Sequence, residues 1–251
     1  MIARSLLLIA MLSAAGAAWG QSTLSPGTFL PVALDSSIDS RKVHPGQEIK
    51  AKIMQDIPLR NGSKIPSGTK VFGHITAPAS AAGGGSSISL RFDRLDLHHE
   101  DIAIVSSLRA IASFVAVHEA QIPLFGSDRG TAENSWTTLQ VGGDDVVYRG
   151  GGPVVSRFGK VGTPVPGGVL VRPRDLPGTP CENEVNNDNQ LQPFWVFSSD
   201  ACGAYRLPNL TISHAGRTRP VGEVTLVSFK GRIKLSAGTG LLLRVLDPAN
   251  P

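Results

Sequence analysis

Two adjacent imidazoles, His98 and His99, stand directly before Glu100 and Asp101, with His118-Glu119 further along. Imidazole and carboxylate are the donor types that hold a transition metal or activate a water molecule. Ligands that share a face must lie two apart on a strand, or three or four apart on a helix. Adjacent positions point apart in either element, so only a loop would converge them. A polar hairpin turn between "SLRFDRLDL" and "DIAIVSSL" accounts for the same residues, and is the expectation here. A metal-assisted hydrolase built around His98 and His99 ranks third among the functional readings.

Other reactive side chains fare no better. Ser67-Gly68-Thr69-Lys70 fits S-x-x-K, but that chemistry needs the serine at a helix start so that lysine returns one turn later. Here a glycine and a strand follow. "GGDDVVYRGGG" at Gly142–Gly152 lacks the G-K-[ST] ending and the helix that phosphate loops require. Ser198-Ser199-Asp200 has no placed histidine. No residue is assigned a catalytic, cofactor-binding or metal-ligating role.

The two cysteines, Cys181 and Cys202, lack C-x-x-C spacing and a nearby histidine. In an exported chain such a pair is expected to form a disulfide. Export itself is expected from the first twenty residues: Arg4, an apolar run from Leu6, and the small-x-small triplet Ala18-Trp19-Gly20 before Gln21. Cleavage is expected between Gly20 and Gln21, leaving a periplasmic or secreted chain. The apolar run falls short of the roughly 20 residues needed to span a bilayer. No transmembrane helix is expected in the mature chain.

The elements that must position any site are short strands. In the 251-residue sequence, 28 glycines and 18 prolines punctuate the apolar runs. Pro-Gly pairs preset type II turns, in which proline fixes φ and glycine supplies the positive φ that follows. Three similar stretches, "SPGTFLPVAL", "IPSGTKVFGHI" and "SAGTGLLLRVL", place Gly-Thr at the start of a strand. Ile49, Ala51 and Ile53 alternate with Lys50, Lys52 and Met54, and Ile88, Leu90 and Phe92 with Ser89, Arg91 and Asp93. That is antiparallel sheet with one wet face. Between about Ser113 and Gln192 glycine and proline break every apolar run, and loops and hairpins are expected, with a helix only near Leu108–Glu119. "PFWVF" reads as a strand covered on both sides. The fold class is all-β: one antiparallel barrel-like or sandwich domain over residues 21–251, with an insertion at about 113–192.

A formal net charge of +4, scattered without a basic run, excludes nucleic acid as the expected partner.

The order "GTFLPVALDSSIDS", "HPGQEIKAKIMQDI", "NGSKIPSGTKVFGHI", "ISLRFDRLDLHHEDIAIVSSL" and the closing "KLSAGTGLLLRVL" resembles the C-terminal β-domain of the TrbI-like scaffold family of conjugation and type IV secretion. The resemblance covers about half of the mature chain. It implies a barrel-like antiparallel sheet with an insertion before the last strands. The first functional expectation is an exported envelope protein that acts by binding or assembly, a scaffold component similar to these, with other envelope proteins or itself as partner. The second reading is a periplasmic module that binds cell-wall glycan or peptide through aromatics such as Trp136 and Tyr148.

Overall fold

The structure is a computed structural model, and it describes residues 24–81, 84–122, 137–148, 152–185 and 190–247. The first strands are β1 (Phe29–Leu34), β2 (Ile38–Asp39), β3 (Glu48–Ile53), β4 (Ile57–Pro58), β5 (Lys64–Ile65), β6 (Lys70–Ala81), β7 (Gly85–Leu97), β8 (Glu100–Ala103) and β9 (Ser106–Ala112). Helix α1 (Phe114–Glu119) precedes β10 (Thr137–Leu139), β11 (Val146–Tyr148), β12 (Val154–Ser156), β13 (Gly159–Val165), β14 (Gly168–Val171) and β15 (Gln192–Pro193). The last strands are β16 (Gly203–Tyr205), β17 (Leu210–His214), β18 (Val224–Ser228), β19 (Lys234–Leu235) and β20 (Gly240–Val245).

The recurring Gly-Thr turns have one mechanism. Gly27, Gly68 and Gly238 sit at φ of 85°, 89° and 80°. The threonine N–H that follows each donates to the carbonyl three residues back: Thr28 to Ser25 at 3.2 Å, Thr69 to Pro66 at 3.3 Å and Thr239 to Ser236 at 3.0 Å. The hydroxyls of Thr28 and Thr69 donate to those same carbonyls, each at 2.7 Å. The chain thus turns and enters β1, β6 and β20 from a tied corner.

These strands share one sheet, in the order β16-β9-β20-β1-β3-β6-β7-β18-β17, with β8 paired to β7. All its pairs are antiparallel except β16 with β9. The sheet curls until its ends meet: Leu108 N–H in β9 donates to the carbonyl of Ala215, just past β17, at 2.9 Å. Ser106 Oγ, at the start of β9, also reaches the Phe92 carbonyl of β7 at 2.9 Å. The result is a nearly closed barrel, which leaves few unpaired edge groups. Its interior is apolar, filled by Leu30, Val32, Ile53, Val71, Ile75, Ile88, Leu90, Phe92, Leu226, Leu241 and Leu243.

Strands β10 to β15 form a second, six-stranded antiparallel sheet in sequence order. Its residues Val147, Val154, Val161, Val169 and Val171 pack with Phe194, Trp195 and Phe197 against the outward-facing Phe29, Ala33, Ala110, Ala112 and Leu242 of the barrel. The wall β9-β20-β1 is therefore dry on both faces. That is why "FLPVAL" and "SSLRAIA" are buried at every position, while "EIKAKI" in β3 alternates exposed and buried.

Two local expectations are corrected. Leu108–Ala112 belong to a strand, and the helix begins only at Phe114, where Ser113 Oγ caps it by accepting from Ala116 N–H. Phe194–Phe197 form a buried turn rather than a strand, closed by Phe197 N–H on the Phe194 carbonyl at 2.8 Å, with Trp195 at φ 50°. The Trp195 N–H finds its acceptor in a side chain, not in a ladder.

Candidate binding cleft at the junction of the two sheets

The polar groups that the fold buries deepest lie where the second sheet meets the barrel. In the pairing of β9 with β20, Leu242 opposes Ala110 and Leu243 opposes Leu108, so Arg109 sits at a bulge. A bulge re-aims a side chain, and this one sends a guanidinium out of the barrel wall into the junction. There Arg109 is 1% exposed. Its Nε donates to the Ala201 carbonyl at 2.9 Å, Nη2 to the Arg174 carbonyl at 2.5 Å, and Nη1 to Glu184 Oε2 at 3.0 Å. Asp175 Oδ1 lies 3.4 Å from Nη1. The second Glu184 oxygen lies 3.0 Å from Arg217 Nε.

Burial pushes the Glu184 carboxyl above its ordinary value, against the downward pull of Arg109, Arg217 and Arg244. Burial also lowers Arg244, against the upward pull of Glu184. Desolvation therefore outweighs pairing at both groups, as happens where ions leave water together.

Cys181 and Cys202 are joined by a disulfide with Cα atoms 5.9 Å apart. The bridge lies against the network, with Cys181 Sγ 3.5 Å from the Arg109 carbonyl. It ties the segment that carries Glu184 to the strand side of the junction. On the other flank Gln55, wholly buried, acts as an amide clamp. Its Oε1 accepts from Trp195 N–H at 2.6 Å and from Val169 N–H at 3.3 Å, while Nε2 donates to the Val169 carbonyl at 2.8 Å. A Cβ on Gly168 would come within 2.3 Å of that oxygen, so this close approach requires glycine.

An open cleft of about 800 Å³ lies beside this network. Its walls are the turn into β1 (Ser25–Phe29), the β4 end (Pro58–Arg60), Arg172-Pro173 after β14, Glu184-Val185, Gln190–Gln192 at β15, and Arg244 of β20. Its cations are Arg60, Arg172 and Arg244, and Glu184 is the one acid among the described lining residues. A volume of this size lies in the range of sites that take a drug-sized molecule. Among its described lining residues there is no nucleophile-base pair; what they offer is guanidinium forks, which suit recognition of carboxylate or phosphate.

The residues singled out from sequence lie elsewhere. His98 and His99 are the two-residue turn between β7 and β8, at φ 55° and 69°. Among the described residues no group of three or more His, Cys, Asp or Glu is placed to hold a metal. Ser67 is in the turn before β6, and Lys70 begins that strand. Ser198 Oγ donates to Asp200 Oδ1 at 3.0 Å, and Arg157 approaches the other oxygen of that carboxylate at 3.4 Å, so the hydroxyl's partner is an acid paired with a cation. Gly20, Gln21 and Trp136 lie outside the described residues, as does the side chain of Tyr148. Among the described residues no helix is long and apolar enough to cross a membrane.

Arg109, Glu184, Arg217, Arg244 and Gln55 did not stand out as site residues in the sequence. The available signal was a lone arginine inside each of two apolar runs, "SSLRAIA" and "GLLLRV". A charge in a run buried on both faces must find partners.

No protein-family model matches this chain, and no curated protein matches it.

Proposed function

We propose that this protein is an exported component of the cell envelope that works by binding and assembly, a scaffold whose barrel resembles the β-domain of TrbI-like proteins. The observation that carries the reading is the arginine-lined cleft at the junction of barrel and second sheet. Its walls come from elements far apart in sequence, and a disulfide and a buried ion network lie directly behind them. A rigidly backed, cation-lined recess is built for recognition. The disulfide supports an oxidising compartment.

The cleft's size also favours a second reading, a module that binds a cell-wall glycan or peptide. One experiment separates the two. Tagged mature protein is recovered from envelope extract under gentle conditions and compared with Arg172→Glu. The scaffold reading expects envelope proteins or further copies of the chain to be retained by the wild type and lost from the variant. Retention of glycan alone moves the conclusion to the second reading. Turnover of a substrate with no retained partner rejects both.

A further inference from the structure

A second surface, none of whose residues lines the cleft, gathers cations without acids to match them. Between Asp35 and Glu48 the chain has Arg41, Lys42 and one acid, Asp39. Between Glu223 and Asp247 it has Lys230, Arg232, Lys234 and Arg244, and no acid. The fold brings the two stretches together around Asp39. Strand β2 pairs with β19, so Lys234 stands opposite Asp39. The Asp39 carboxylate accepts from Arg41 N–H at 3.1 Å and lies 3.3 Å from Arg232 Nη1. Lys42 N–H donates to the Asp39 carbonyl at 2.9 Å.

The turn before β19, which carries Phe229 and Lys230, is fastened to the same corner. Ser86 Oγ donates to the Gly231 carbonyl at 3.0 Å, and Ile233 N–H donates to Ser86 Oγ at 2.9 Å and to Ser40 Oγ at 3.1 Å. Ile38, Ile233 and Leu235 anchor the corner in the barrel interior. Its neighbours bring no charge: Phe229 N–H meets the carbonyl of Asn209, and Gly231 N–H that of Gly84. Arg232 is the cation that pairs with Asp39. Arg41, Lys42, Lys230 and Lys234 are exposed, and no ion pair joins them to an acid among the described residues. On the same turn Phe229 is 65% exposed, the most exposed large apolar side chain among the described residues.

One exposed phenylalanine by itself needs no explanation. Set among cations, it suits a surface that is anionic outside and apolar just beneath. Anionic headgroups attract Lys and Arg held near them, and apolar rings enter the boundary between headgroups and acyl chains. A polyanionic glycan would use the charges and leave the ring in water.

We propose that this corner docks the protein on a bilayer surface of anionic phospholipid, with Lys42, Lys230 and Lys234 among the headgroups and the Phe229 ring in the acyl boundary. The choice of a bilayer over nucleic acid rests on the reading of the chain as exported.

The test is sedimentation of the mature, disulfide-bonded protein with two kinds of vesicle, phosphatidylcholine alone and equal parts of phosphatidylcholine and phosphatidylglycerol, at low and at high salt. The variants are Lys230→Ala/Lys234→Ala, Phe229→Ser and Arg172→Glu. All four positions are exposed, so thermal unfolding should match the wild type and serves as the fold control. Binding should require phosphatidylglycerol and weaken at high salt. It should fall about tenfold or more in the lysine double variant, fall in Phe229→Ser, and stay at the wild-type level in Arg172→Glu. Tryptophan emission of Phe229→Trp should shift to shorter wavelength on the anionic vesicles. No binding to those vesicles, binding indifferent to Lys230 and Lys234, or an equal loss in Arg172→Glu overturns the proposal. Binding of heparin or of an oligonucleotide, with no emission shift from position 229 on vesicles, overturns it too. The cleft is read by Arg172→Glu in envelope extract, so the docking proposal and the binding reading fail separately.

Discussion

The guanidinium of Arg109 and the carboxylate of Glu184 meet at 3.0 Å, 75 positions apart in sequence, and both side chains are almost wholly shut off from solvent. One comes from a bulge in the barrel wall and the other from the disulfide-closed segment, so this contact spans the two parts of the fold. Removing one member of a buried pair strands the other. Arg109→Met should lower stability by about 3–5 kcal/mol. Pairing it with Glu184→Gln should cost less than the sum of the two single changes, because the second substitution removes the stranded charge. Urea unfolding of all four proteins supplies the cycle. An Arg109→Met variant within about 1 kcal/mol of wild type would show that the pair contributes nothing to the junction.

The bridge behind this pair closes a segment of sequence separation 21. Cys202→Ser should lower stability by about 2–5 kcal/mol, with non-reducing peptide mapping of the wild type showing the Cys181–Cys202 link. Two free thiols in folded wild-type protein would contradict the structure.

Gln55 closes the opposite flank of the junction. Gln55→Ala takes the side-chain acceptor from two buried N–H donors, Trp195 and Val169, while the Val169 carbonyl keeps Phe194 N–H at 3.1 Å. At about 1–3 kcal/mol for each such group, with partial relaxation, the loss should be about 3 kcal/mol. Gln55→Glu should not rescue it, since its second oxygen would stand against the Val169 carbonyl and a charge is now buried. A neutral Gln55→Ala would mean that the two parts do not depend on this clamp.

Asp145 gives the junction's far side a pH dependence. It is 1% exposed and accepts from Ser199 N–H at 2.9 Å, and burial holds its pKa above the ordinary 3.8. A raised folded-state pKa means that the fold favours the protonated acid. The contribution to stability is complete below the ordinary value and is lost as pH rises through the folded value. Asp145→Asn removes that loss, so its stability relative to wild type should grow as pH is raised across this range. Unfolding curves that stay parallel at every pH would contradict the assignment.

The barrel was legible where one face stays wet. Ile49, Ala51 and Ile53 in β3, and Ile88, Leu90 and Phe92 in β7, show the period of two that a half-solvated strand imposes. Strands β1, β9 and β20 carry no such period because the second sheet dries their outer face, and Leu108–Ala112 reads as part of a helix for that reason. The second sheet was less legible still. Several of its strands are two to four residues long, as at Val154–Ser156 and Gln192–Pro193, too short for a period to register. Glycine and proline there mark the turns of a meander, a run of hairpins joined in sequence order. The cleft had no local signature, since Arg60, Arg172 and Arg244 converge only through the topology.

The most direct test of the account places a photo-reactive residue at Leu191, inside the cleft, and another at Phe229, exposed on the turn after β18 and outside the cleft lining. Irradiation of cells that export each variant follows, with Arg172→Glu introduced into both. The account predicts a discrete crosslink to a polypeptide from position 191, abolished by Arg172→Glu, and no matching product from position 229. The same product from position 229 with none from 191, or a 191 product that survives Arg172→Glu, would contradict the claim that this protein works through its arginine-lined cleft.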